Sequence, residues 1–165
     1  VKTASKLTSE LLKQRKAAVL RRWQDLVFET YAPDTAAVLK TGGDRFDNPV
    51  SYTVSCNLQL ILDGLVERKH VETLFPCLEE IIKIRAVQEF TPETAVCFMP
   101  ILKKVLMLET GLEAEVELAG RIDRLSAACL VIYQECRNRI ERIRTNEKIK
   151  AARSMSRFMS LPGEE

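Results

Sequence analysis

The chain reads as all-α, a bundle of five to six helices that ends in one long C-terminal helix. Apolar residues recur every three to four positions along almost its whole length, and no segment shows the two-residue alternation of a half-buried strand. Proline follows a capping residue at two expected helix starts and is absent from the last long segment. No internal repeat of fixed period competes with this reading.

The first helix is expected in LTSELLKQRKAAVLRRWQDLVFETY, with Thr8 as its N-cap. Leu11, Leu12, Val19, Trp23, Leu26, Val27 and Tyr31 form an apolar stripe, with Lys and Arg on the other face. Pro33 marks its end. PDTAAVLK is a short second helix, closed by Gly42-Gly43. The third opens in DRFDNPVSYTVSCNLQLILDGLVERK, where Asn48 caps free N–H groups and Pro49 suits a position whose N–H has no intrahelical partner. Its core face is Val50, Val54, Leu58, Ile61 and Leu65.

A fourth helix covers LFPCLEEIIKIRAVQEF. Thr91-Pro92-Glu93 repeats the cap-and-proline signal and opens PETAVCFMPILKKVLMLE. Pro100 lies inside that helix, so a kink is expected near Val96. The last helix is expected from about Leu112 to Phe158. Leu118, Ile122, Leu125, Cys129, Ile132 and Cys136 follow heptad spacing, and Ile140 and Ile143 continue it after one extra step. A helix of about 45 residues spans roughly 70 Å. It must protrude from a domain of this size, pair with a second copy, or break.

The 165 residues suit one domain with a real core, given 46% apolar content. The formal net charge of +2 conceals an asymmetry: residues 1–22 and 137–157 are strongly basic, while 23–136 are acidic. Such a layout favours self-association or internal pairing as much as nucleic acid. The five cysteines form no C-x-x-C pair and read as buried, reduced thiols, which fits a cytoplasmic protein. No apolar run is long enough for a membrane span, so no membrane is expected as partner.

Three blocks stand out together: LKQRKAAVLRRWQDLVFETYAPDTAAVLK, DRFDNPVSYTV and IIKIRAVQEFTPETAVCFMPILKKVL. They resemble the RsbRD N-terminal domain family, named for co-antagonists of the kinase RsbT, over residues 10–140. The resemblance implies a globin-like sensory or regulatory domain without haem, which dimerises through a long C-terminal helix. It also implies a helix that leads into a STAS domain. This chain instead runs from Phe158 into MSLPGEE, so the stressosome role is not carried over directly. The expected division is a sensory and regulatory body over 1–140 and a basic helical extension and tail over 141–165.

No catalytic set is legible, and the chain is not expected to be an enzyme. His70, the only histidine, sits in the polar junction ERKHVETL, an unsuitable place for a haem ligand. No cofactor is expected, nor any metal, because the cysteines lack ligand spacing. The carboxylates at Glu79 and Glu80, and at Glu113, Glu115 and Glu117, fall on expected solvated faces. The ligand-pocket candidates are Trp23, Arg45, Arg85, Gln88 and Phe90: Trp23 can cover an apolar cavity, and Arg45 or Arg85 can bind an anion or a carboxylate such as Asp44 or Asp47. The dimer-seam candidates are Leu125, Cys129, Ile132, Cys136, Ile140 and Ile143.

CRNRIERIRTNEKIKAARSMSRF holds eight Lys or Arg against two acids. It offers one aromatic and no adjoining helix-turn-helix pattern, and its apolar face is thin for a membrane surface. The heptad continuity favours a connector helix in a homodimer that engages a regulatory protein partner. A nucleic-acid-binding regulator is the alternative.

Overall fold

The computed structural model describes residues 2–111 and 116–159, with side chains over 10–111 and 116–156. Within them the chain forms α1 (Lys2–Phe28), α2 (Pro33–Lys40), α3 (Pro49–Val66), α4 (Phe75–Val87), α5 (Pro92–Val96), α6 (Phe98–Thr110) and α7 (Val116–Met159), with a 3-10 turn at Val71–Leu74 before α4. No strand occurs among the described residues, and the all-α architecture with its long last helix stands as expected. Glu113, Glu115 and the tail 160–165 lie outside the described residues.

Two helix starts follow their sequence signals. Asn48 Oδ1 accepts from the Ser51 N–H at 3.1 Å, while its Nδ2 donates to the Val38 carbonyl at 3.0 Å, tying α2 to α3. Thr91 Oγ1 accepts from the Thr94 N–H at 3.3 Å. The first helix departs from expectation. It begins at Lys2, so Thr8 lies inside α1 rather than capping it. The segment with Pro100 breaks at Cys97 instead of bending, because proline has no N–H for the Val96 carbonyl. One expected helix thereby becomes α5 and α6.

Helices α3 and α4 end alike. Each finishes on a non-glycine residue in the left-handed region, Arg68 at φ 56° and Glu89 at φ 62°. Lys69 N–H donates to the Gly64 carbonyl at 2.9 Å, and Phe90 N–H to the Arg85 carbonyl at 3.1 Å, the same six-residue closure in both. Gly64 also lies so close to Leu74 that a Cβ there would collide with it, and this allows the 3-10 turn to fold back on α3.

α1 packs on α6 and α3, α4 lies between α3 and α7, and α7 also touches α5 and α6. Val19 and Trp23 of α1, Leu58 and Ile61 of α3, Leu78 and Ile81 of α4, and Phe98 and Leu102 of α6 have no exposed surface. Each such aliphatic burial contributes about 1.5–3 kcal/mol relative to exposure.

The heptad stripe of α7 is used inside the chain. Leu125 and Cys129 are fully buried, and Ile132, Cys136 and Ile140 are half-buried against the same core. Ile143 is 52% exposed, and every described side chain from 141 to 156 is exposed. A seam between copies therefore finds Leu125 and Cys129 already covered, with Ile143 as its outermost exposed member. No helix among the described residues is long and apolar enough to cross a membrane.

Candidate functional site around the buried Arg85

Arg85 lies in the last turn of α4 and has no exposed surface. Its Nη1 donates to the carbonyls of Thr94 at 2.8 Å and Ala95 at 3.4 Å, and lies 3.8 Å from Cys97 Sγ. Nη2 donates to the Val27 carbonyl at 3.4 Å and to Thr30 Oγ1 at 3.0 Å. Among the described residues no carboxylate pairs with this cation. Burying a guanidinium costs several kcal/mol. The compensation comes from carbonyl ends: Val27 closes α1, and Thr94 and Ala95 belong to α5, so oxygens with partial negative charge converge on the fork. The rings of Tyr31, Phe90 and Phe98 complete the cage, with centroids 5.2, 5.3 and 5.5 Å from the guanidinium carbon. A lysine could neither span these acceptors nor stack as a plane.

Two polar atoms in the cage remain unsatisfied. Arg85 Nε and Tyr31 Oη are buried without a hydrogen-bond partner. The Tyr31 hydroxyl lies beside the guanidinium, close enough for Arg85 to act on its titration. Burial raises its pKa, and the Arg85 charge partly opposes that rise.

Trp23 is fully buried, and its indole N–H donates to the Phe98 carbonyl at 2.6 Å. Trp23 and Arg85 thus meet at Phe98, and Phe90 joins them through Arg85. The other two pocket candidates do not join them. Arg45 is exposed in the α2–α3 loop, and Gln88 is exposed at the C-cap of α4, where the helix has ended and three-residue spacing no longer implies a shared face. Asp44 is engaged by its own loop: its Oδ1 accepts from the N–H groups of Phe46 and Asp47, which hold its carboxyl below the usual range. Sequence reasoning missed Thr30, Thr94, Cys97 and Phe98 as members of the cage and counted Tyr31 only as stripe. The available signal was Arg85 in a last helical turn, followed closely by the Thr91-Pro92 cap.

The cage is coupled to α7. Tyr133 Oη donates to the Phe90 carbonyl at 2.5 Å, and Arg137 Nη1 to the Ala86 carbonyl at 3.2 Å. Arg144 pairs with Glu89 at 2.7 Å. The end of α3 is clasped in the same manner. Arg121 donates to the carbonyls of Leu65 at 3.0 Å and Gly64 at 3.3 Å, and to that of Lys69, while Arg68 pairs with Glu117 at 2.9 Å. Burial lowers the pKa of Arg121.

His70 is exposed ahead of the 3-10 turn. The described residues hold no group of three or more His, Cys, Asp or Glu able to hold a metal ion. Cys129 is fully buried, and burial pushes its thiol up to about 12. The site is thus a buried cation in a helix-end cage, joined through the end of α4 to the long helix.

The family model described as RsbT co-antagonist protein rsbRD N-terminal domain matches residues 17–148. No curated protein and no solved structure matches the chain.

Proposed function

The chain belongs to the RsbT co-antagonist protein rsbRD N-terminal domain family, a family of regulatory or sensory domains, and on that premise we propose that it acts without catalysis, by changing how α7 sits on the bundle. Residues 1–140 are the globin-like sensory body, and 141–165 are the extension that passes the signal on in the cytoplasm. The Arg85 cage, with Trp23 and Phe90, is the packing element that a small ligand or a protein partner biases. One observation carries this reading. A single helix runs from a half clasped at the ends of α3 and α4 into a half whose described side chains are all exposed.

The output is association. Ile143, Ile149 and Met155 are large apolar groups exposed on the protruding half, at 52%, 43% and 70%. With Ile140 and Ile143 continuing the heptad stripe, they suit a second copy, and a regulatory protein partner can use the same face. Sedimentation equilibrium of Ile143→Asp combined with Ile149→Asp tests this. Both positions are exposed, so helicity should persist while the dimer is lost. An unchanged dimer, or a wild-type monomer at high concentration, refutes the seam.

A second reading rests on the exposure of Arg142, Lys148, Lys150 and Arg153 along a continuous helix. It makes the chain a nucleic-acid-binding regulator. Binding to generic duplex DNA or RNA should then weaken steeply with salt, with a shallower slope after Arg142, Arg144 and Arg153 are changed to Gln. Absence of salt-dependent binding removes this reading.

A further inference from the structure

We propose that the outward face of α7 is a seam for a second copy of this chain, with the two long helices antiparallel. The inference rests on the reading that the chain associates through α7, and it fixes the face and the direction. At about 100° per residue, Ala127, Val131, Gln134, Asn138, Thr145 and Ile149 fall within an arc of about 60°. That arc lies opposite Leu125 and Cys129, which α7 buries in its own bundle. All six residues are exposed and none is charged. Val131 is 60% exposed, and Leu130 at the border of the arc is 51% exposed. The heptad stripe seen in the sequence is covered within the chain as far as Ile140, so this neutral row is the face that α7 can offer to another helix. Gln134 and Asn138 suit such a place, because an amide in a helix pair accepts and donates to a facing amide and fixes register.

Charge sets the direction. Residues 137–157 hold eight Lys or Arg against two acids, whereas 116–136 hold Arg121 and Arg124 against Glu117, Asp123 and Glu135. A parallel pair would lay two strongly basic halves side by side, at a helix spacing of about 8–10 Å, where salt screens them only in part. An antiparallel pair instead lays each basic half along the more acidic half of the other copy. With the two-fold axis near Glu135, Val131 faces the second copy's Asn138, and Ala127 faces its Thr145. On one border of the arc Asp123 meets the second copy's Lys148, and on the other Glu117 meets its Arg153. Asp123 and Glu117 are exposed and already bind Lys103 and Arg68 within the chain. A carboxylate has lone pairs for a second cation. The bundle packs on the opposite side of α7, which leaves room for the second helix. The half that protrudes from one copy is then covered by the packed half of the other.

The test uses the full chain. Sedimentation equilibrium establishes whether it is a dimer. Ala127→Cys combined with Thr145→Cys is then treated with a short bismaleimide, and linked peptides are identified by mass spectrometry, which separates them from those of the five native cysteines. The expected product is a doubled chain linked through position 127 of one copy and 145 of the other. Within one chain these positions are roughly 27 Å apart on a single helix, beyond the reach of the reagent. A dimer linked 127 to 127, or 145 to 145, is a parallel pair and overturns the proposal while association stands. A dimer with none of these links overturns the face. A monomer overturns both the seam and the reading beneath it. Val131→Asp changes an exposed position, so helicity should persist while self-association weakens roughly tenfold or more. An unchanged dimer in that variant also overturns the seam.

Discussion

Over Val116–Ile140, α7 lies against α4, α5 and α6, with Ile122, Leu125 and Cys129 fully buried. Beyond Ile140 the same helix continues to Met159, yet every described side chain is exposed. The first half is helical because its stripe is buried and its arginines hold other helix ends. The second has only the exposed Arg144–Glu89 ion pair near its start. It persists because the packed half has already met the cost of nucleation, and each added residue then needs only an ordinary propensity. Residues 141–159 contain no proline or glycine, and Glu147 stands three positions before Lys150, a spacing that helps a solvated helix slightly. Helical periodicity thus looks alike in both halves while the physical cause differs.

The contrast breaks most visibly under truncation of a side chain. Leu125→Ala should cost about 2–5 kcal/mol in urea unfolding, through lost burial and a residual cavity. A cost near zero would mean that the first half is not held by its stripe. Alkaline titration gives the next effect. The folded Cys129 thiol sits at about 12 against 9.0 in an unfolded chain. Its contribution is complete below pH 9 and is lost as pH rises towards 12, at about 1.4 kcal/mol per pH unit. Cys129→Ala should flatten that part of the profile.

Arg121→Ala should cost about 1–2 kcal/mol by leaving the carbonyls at the end of α3 without their cationic donor. Tyr31→Phe should change stability by no more than about 1 kcal/mol, because it keeps the ring over Arg85 and removes only the hydroxyl. Smallest of all, Ile149→Ala should fall within about 0.5 kcal/mol. A larger loss in dilute monomer would show that the second half packs on the bundle after all.

The architecture was legible where local chemistry decides it. Asn48-Pro49 and Thr91-Pro92 mark real helix starts because capping needs only residues within one turn. The heptad stripe was equally visible, but its partner was not. Spacing says which residues share a face and not what covers it, so Leu125 and Cys129 fit a second copy or the chain's own bundle equally well. The cage was half legible. Trp23, Arg85 and Phe90 were within reach as unusual residues in apolar surroundings. Thr30, Thr94 and Cys97 contribute through helix ends brought together by the fold, with Thr30 and Arg85 separated by 55 positions. Arg45 and Gln88 show the converse: polar neighbours of a motif in sequence that remain in solvent.

The clasp on α7 has a mechanical consequence. Arg121, Tyr133 and Arg137 fix the helix at points spread over sixteen residues, roughly 24 Å. Beyond the exposed Arg144–Glu89 pair a rod of roughly 22 Å carries no further described contact with the bundle. Sliding would break every anchorage at once, whereas tilting about the last one disturbs few. A tilt of about 10° about Arg137, roughly 33 Å from the end of the helix, would swing the tip by about 6 Å, close to one helical pitch. An atomic-scale repacking beside Arg85 would thus be geared up to the size of a side chain at the far end.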